Sequence, residues 1–158
     1  MQQPRDQLNR PLRQLRLSVT DRCNLRCHYC MPEDEYNWLE KSKILNFEEL
    51  ERLVRIFAEL GVQKVRLTGG EPLLRRDIHK LVKKLSSIPA IREVAMTTNA
   101  TLLENCAEKL KQSGLEKLTL SLDTLNPEDY RQLTRWGKLE DVFRGIYVAK
   151  ESGFQELK

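Results

Sequence analysis

The sequence predicts an α/β fold in which parallel strand–helix repeats form an incomplete (βα) barrel. Three observations carry this expectation. Short strand-like segments of alternating polarity recur between segments whose apolar residues follow helical spacing. Glycines stand just past three of the helical segments, at Gly61, Gly114 and Gly153. The connections are short, as expected for a parallel sheet wound through crossover helices.

Residues 1–14 form a polar extension of mixed charge without the apolar centre of a signal peptide. Residues 15–20 (Leu-Arg-Leu-Ser-Val-Thr) alternate strictly and read as the first strand. A helix is expected over about residues 47–60, with Asn46 as N-cap, Gly61 beyond its end, and a stripe of Phe47, Leu50, Leu53, Val54, Phe57 and Leu60. The second strand spans residues 64–68. A glycine loop leads from it to a helix bearing Ile78, Leu81, Val82 and Leu85. A third strand over 93–97 precedes a helix over about 102–113, and 117–121 is the fourth strand. A short helix opening at Pro127 and a longer one over about 139–152 follow, and residues 155–158 begin another strand. About four and a half such units cannot close an eight-stranded barrel. Residues 15–158 are therefore expected to form a partial barrel, and the chain an N-terminal piece of a larger protein.

Composition narrows the function classes. A chain of 158 residues suits one domain with its own core, and 40% hydrophobic with 32% charged residues is ordinary for a soluble protein. Nothing approaches the run of roughly 18 apolar residues that crosses a bilayer, so a cytoplasmic protein without a membrane partner is expected. The net charge of +4 is mild, and lysines such as Lys80, Lys83 and Lys84 are scattered along helix faces. Nucleic-acid binding, which favours a concentrated basic stripe, is not indicated. A modest positive field does suit an anionic substrate.

The strands carry a second message. Strands buried on both faces are nearly continuous in Val, Ile and Leu. Here Arg16, Ser18 and Thr20 share one face of the first strand, and Arg66 and Thr68 share one face of the second. Ala95 and Thr97 follow in the third, as do Thr119 and Ser121 in the fourth. One sheet face therefore lines a wet, functional cavity. The carboxyl ends of the strands, where parallel sheets bind ligands, read Thr20-Asp21-Arg22-Cys23, Thr68-Gly69-Gly70-Glu71, Thr97-Thr98-Asn99 and Ser121-Leu122-Asp123.

Four cysteines in a cytosolic chain rarely make a disulfide framework. Cys106 shares a helical face with Leu103, Ala107 and Leu110 and reads as a small core thiol. Cys23, Cys27 and Cys30 fall in one loop with the spacing C-x-x-x-C-x-x-C. Three thiolates leave one iron of a cubane cluster open to a small molecule, and they suit iron–sulfur chemistry. A zinc-bound structural module is the first alternative, although structural zinc normally takes four closed ligands. An iron–sulfur electron carrier is another.

The stretch from Ser18 to Pro32, with its three cysteines, resembles the cluster loop of the radical S-adenosylmethionine enzymes, and Gly69-Gly70-Glu71-Pro72 resembles the signature after their second strand. Within that superfamily the chain is most similar to the GTP 3',8-cyclases, the molybdenum cofactor biosynthesis A family. This similarity rests on residues 15–20, 65–77, 97–99 and 121–123, and it extends over roughly residues 15–158.

The resemblance implies roles. Cys23, Cys27 and Cys30 would ligate a 4Fe-4S cluster, with the methionine end of S-adenosylmethionine on the fourth iron. Tyr29, Gly70, Glu71 and Ser121 would bind that cosubstrate, with Glu71 meeting the methionine ammonium. A glycine at Gly70 would also let a ligand approach the backbone. Arg16, Arg66, Thr97 and Lys158 would bind GTP. Inward arginines are costly without an anionic partner, either phosphate or an acidic side chain such as Glu71 or Asp123. The implied reaction cleaves S-adenosylmethionine to a 5'-deoxyadenosyl radical, which takes hydrogen from the ribose C3' of GTP so that the sugar attacks guanine C8. An electron donor of flavodoxin or ferredoxin type would feed the cluster, and the next enzyme of the molybdopterin pathway would take the product. Ala100 departs from the family, in which glycine commonly follows Thr-Thr-Asn. The family's carboxyl-terminal half, with a second 4Fe-4S cluster that binds guanine, has no counterpart in this sequence, so this chain alone is expected to be inactive in cyclisation. Another radical enzyme of the superfamily, acting on a peptide or small molecule, is the remaining alternative.

Overall fold

The computed structural model describes residues 3–33 and 35–158. Four strands pair in sequence order and all in parallel: β1 (Gln14–Ser18), β2 (Lys64–Thr68), β3 (Glu93–Thr98) and β4 (Lys117–Leu120). Between and after them run α1 (Phe47–Glu59), α2 (Ile78–Ser86), α3 (Ala107–Gln112), α4 (Pro127–Thr134) and α5 (Leu139–Glu151). The sheet is open, as expected of an incomplete barrel.

Local chemistry accounts for most of the boundaries. At the start of α1 the Glu49 backbone N–H donates to the Asn46 side chain at 2.9 Å, and the Asn46 N–H donates to the Glu49 carboxylate at 2.7 Å. This reciprocal pair satisfies two of the donors that every helix start leaves free. Gly61, at φ +105°, turns the chain out of α1 in a conformation that costs glycine little, and the β2 bounds coincide with the expected ones.

Apolar side chains on one sheet face, including Leu17, Val65, Leu67, Val94, Met96 and Leu118, are buried together with Leu50, Val54, Leu81, Val82, Leu85 and Leu110 of the helices. Each such burial contributes about 1.5–3 kcal/mol. The opposite face carries the polar residues in register: Arg16 lies beside Arg66, Arg66 beside Ala95, Ser18 beside Thr68, and Thr97 beside Thr119.

Strand ends shift by a residue or two, β1 ending at Ser18 and not at Thr20 and β4 at Leu120 and not at Ser121, and two further elements differ from expectation. The helix expected over 102–113 is broken into a 3-10 turn (Leu103–Asn105) and α3, with Cys106 between them at φ −145°. The Cys106 N–H donates to Leu103 O at 3.0 Å, which closes the turn before the helix can start. The thiol donates to Leu102 O at 3.3 Å and is half-buried, against the edge of the core. The last residues add to the sheet only through a parallel bridge between Leu118 and Leu157, with Leu120 N–H donating to Lys158 O at 2.7 Å.

Candidate functional site

The cysteine loop leaves the end of β1 and is held by the backbone of the glycine loop after β2. Gly70 N–H donates to Thr20 O, and Glu71 N–H donates to Arg22 O, each at 2.8 Å. Gly69 adopts φ +147°, and a Cβ at Gly70 would lie 2.2 Å from Arg22 O and 2.7 Å from Asp21 O. A close approach that demands glycine at Gly70 is thus made by the protein's own cysteine loop.

Glu71, the next residue of the glycine loop, is held from within the protein. It is 1% exposed and turned into the protein. One carboxylate oxygen accepts from Leu73 N–H at 3.0 Å and from the Thr98 hydroxyl at 2.8 Å, and the other accepts from Asn99 N–H at 2.8 Å. Burial pushes its pKa up, against the opposing pull of these donors. The carboxylate therefore pins the glycine loop to the end of β3 and presents no free oxygen to the rim.

Asn99 in turn ties β3 to the cysteine loop. Its amide donates to Asn24 Oδ1 at 2.9 Å and lies 3.9 Å from Cys23 Sγ. The Asn24 amide donates to the Thr101 hydroxyl at 2.9 Å. Leu25 N–H also points at Cys23 Sγ, at 3.4 Å. A turn follows, in which Cys30 and Met31 N–H donate to Cys27 O at 3.0 and 2.8 Å. Cys23 and Cys27 are half-buried and Cys30 is exposed. Burial raises the Cys23 and Cys27 thiols above the ordinary range, and the three sulfurs are near enough for their charges to interact.

Among the described residues no three His, Cys, Asp or Glu side chains converge on a single-ion site. A structural zinc needs thiolates all about 2.3 Å from one point. Three thiols on one loop suit a multi-iron cluster, and Cys23 Sγ has N–H groups directed at it of the kind that tune one.

The remaining expected residues gather on the open side. Tyr29 extends across the mouth of the loop, and its hydroxyl donates to Asp123 Oδ2 at 2.6 Å; that contact, first among the causes, shifts its pKa upward. Ser121 follows β4 with its N–H on Thr98 O at 2.9 Å. On the polar sheet face Arg66 Nη1 donates to the Thr119 hydroxyl at 2.6 Å and to Thr97 Oγ1 at 3.4 Å. Arg16, directly beside it, is exposed. Among the described residues neither arginine pairs with a carboxylate: Glu71 is engaged inside and Asp123 holds Tyr29. Lys158 stands exposed beside the end of β4.

Sequence reasoning missed the supports of this site. Asn24, Thr98 and Asn99 were visible only as polar residues in loops and a strand end. The grip of α4 was not visible at all: its last carbonyls, Leu133 O and Thr134 O, accept from His28 and Arg26 N–H, each at 3.1 Å.

The chain matches the profile of the Radical SAM superfamily over residues 17–157. The GTP 3',8-cyclase of Aquifex aeolicus (strain VF5) is 50% identical over 152 residues, which cover 95% of this chain and 48% of that protein. The GTP 3',8-cyclase of Xanthomonas axonopodis pv. citri (strain 306) is 48% identical over 158 residues, covering 97% and 47%. The chain thus spans about half the length of the curated relatives it matches. Among solved structures, Streptococcus suis SuiB bound to its precursor peptide SuiA superposes with a TM-score of 0.76 at 24% identity, over 92% of this chain and 32% of SuiB. That likeness concerns the fold alone.

Proposed function

From the premise that this chain belongs to the Radical SAM superfamily, we propose that it forms the S-adenosylmethionine-cleaving half of a GTP 3',8-cyclase. The curated relatives with which it shares about half its residues bear that name. The observation that carries the substrate assignment is the pair of register-matched arginines, Arg16 and Arg66, on an open polar face with no acidic partner among the described residues. Arginine's planar fork suits phosphate oxygens, and a triphosphate supplies the missing counter-charge.

Cys23, Cys27 and Cys30 hold the cluster at three irons. When bound, the cluster supplies the single electron that splits S-adenosylmethionine into methionine and a 5'-deoxyadenosyl radical. The protein's own residues orient and enclose the reactants. Tyr29 and Ser121 line the cosubstrate's side of the rim, while the Gly69–Gly70 backbone and the Glu71 carboxylate keep the loop ends in place. Arg16, Arg66, Thr97 and Lys158 bind the nucleotide beside them. A one-electron donor of flavodoxin or ferredoxin type feeds the cluster, and the product passes to the next enzyme of the molybdopterin pathway. Cyclisation further requires the region that the longer relatives carry beyond this match.

The test is anaerobic incubation of the chain, extended by that downstream region, with GTP, S-adenosylmethionine and dithionite. Mass spectrometry should detect the 3',8-cyclised nucleotide. Cleavage of S-adenosylmethionine with no binding or conversion of GTP would move the function to another radical enzyme.

A further inference from the structure

Arg26 lies inside the cysteine loop, between Cys23 and Cys27, and has a partner set that nothing above uses. Its Nη1 donates to Cys23 O and Leu25 O, each at 2.8 Å, and lies 3.9 Å from Met31 Sδ. Its guanidinium stands 4.9 Å from the Trp38 ring centroid, 5.0 Å from Trp136 and 5.8 Å from Tyr36, with Tyr36 and Trp38 stacked on each other. Its own N–H is bound to Thr134 O at the end of α4.

No carboxylate among the described residues pairs with this half-buried cation. Two carbonyls and three aromatic faces compensate it only in part. A charge withdrawn from water without an opposite charge is expensive, and structures keep such a charge where an anion belongs. The loop it occupies carries three thiols. With a cluster bound, those thiols are thiolates and the whole assembly is negative, more so by one charge after reduction.

Resting on the proposed radical function, we propose that Arg26 is the built-in counter-charge of the cluster, a positioning residue that fixes the Cys23–Cys27 arc and eases one-electron reduction. The two carbonyl bonds set the shape of the arc. Trp38, Trp136 and Tyr36 keep water off the guanidinium, so its field on the cluster is weakly screened. The α4–α5 turn that carries Trp136 thereby acts on a loop more than a hundred residues earlier in the chain. Net charge near the cluster is one of the levers that set iron–sulfur potentials.

The experiment uses the anaerobically reconstituted protein, titrated with dithionite and followed by electron paramagnetic resonance. Iron content and iron–sulfur absorbance of the parent test the cluster reading itself, separately from the role of Arg26. Arg26→Gln should load iron yet make reduction about tenfold less favourable, a fall of about 59 mV for one electron. Arg26→Lys, which keeps the charge and loses the fork, should recover at least half of that shift. A midpoint for Arg26→Gln within twofold of the parent in equilibrium constant, or an equal shift in Arg26→Lys, would overturn the proposal. If Arg26→Gln does not fold, Trp136→Leu decides. That variant keeps the cation but opens one face to water, and it should make reduction roughly two- to threefold less favourable. An unchanged midpoint there overturns the proposal as well.

Discussion

Replacing Gly70 with alanine tests whether the glycine loop and the cysteine loop form one backbone unit. Gly70 does not occupy a left-handed conformation, so alanine's own backbone preference costs nothing. The whole effect comes from contact: the new Cβ would meet Arg22 O at 2.2 Å, Arg22 C at 2.5 Å and Asp21 O at 2.7 Å. These are backbone atoms, and no side-chain rotation relieves them. Separating the segments weakens the two bonds at 2.8 Å, from Gly70 N–H to Thr20 O and from Glu71 N–H to Arg22 O. Strain of about 1–3 kcal/mol plus roughly 0.5–1.5 kcal/mol for each bond gives a loss of about 2–6 kcal/mol. Total stabilities of about 5–15 kcal/mol make that a large fraction. Gly153→Ala is the control: its nearest atom beyond the chain neighbours is Lys111 Cε at 3.9 Å, and only its φ of +88° opposes alanine, at about 1–2 kcal/mol. Urea unfolding of the reduced apo-protein, followed by circular dichroism, measures both. A Gly70→Ala cost no greater than that of Gly153→Ala would refute the coupling of the two loops.

Other consequences are as direct. Cys23→Ala, Cys27→Ala or Cys30→Ala should abolish iron–sulfur absorbance after reconstitution, whereas Cys106→Ala should keep it; loss of the cluster in a folded Cys106→Ala protein would contradict that thiol's place at the core edge. Glu71→Gln sets an amide N–H₂ against a buried N–H and should cost about 1–3 kcal/mol at neutral pH. Because burial raises the Glu71 pKa above its ordinary 4.5, the parent's margin over Glu71→Gln is largest below about pH 4.5 and shrinks, without vanishing, as pH rises through the folded value; a pH-independent difference in urea midpoints would argue against that burial cost. Arg66→Ala, in protein carrying the downstream region, should retain its cluster and its cosubstrate affinity while binding GTP about 1.5–3 kcal/mol more weakly, and calorimetry showing unchanged GTP affinity would make Arg66 structural.

The parts of the fold that were legible in the sequence are those set by short-range chemistry. Alternation along residues 64–68 and the glycines that flank them define β2, and Asn46 three residues before Glu49 marks the start of α1. The polar sheet face was legible too, because a period of two assigns Arg16, Arg66, Thr97 and Thr119 to one side whatever the partners. Loop side chains follow no period. Whether Glu71 faces the rim or the interior depends on Thr98 and Asn99, about thirty residues on, and its glutamate identity alone favours exposure. Gly70 announced a close approach but not to what. Nothing in the sequence sets Arg26 apart, because the rings that stand against it, Trp38 and Trp136, come from 12 and 110 residues further on. The break at Cys106 escaped notice because Leu103, Ala107 and Leu110 keep a helical spacing across it.

The central claim is that the three-cysteine loop holds a cluster able to cleave S-adenosylmethionine. The most direct measurement reconstitutes the chain anaerobically, adds S-adenosylmethionine and dithionite, and quantifies metal content together with 5'-deoxyadenosine and methionine. About four irons per chain and cleavage products well above a Cys27→Ala background are the predicted result. One equivalent of zinc, no iron–sulfur absorbance and no 5'-deoxyadenosine above that background would contradict it.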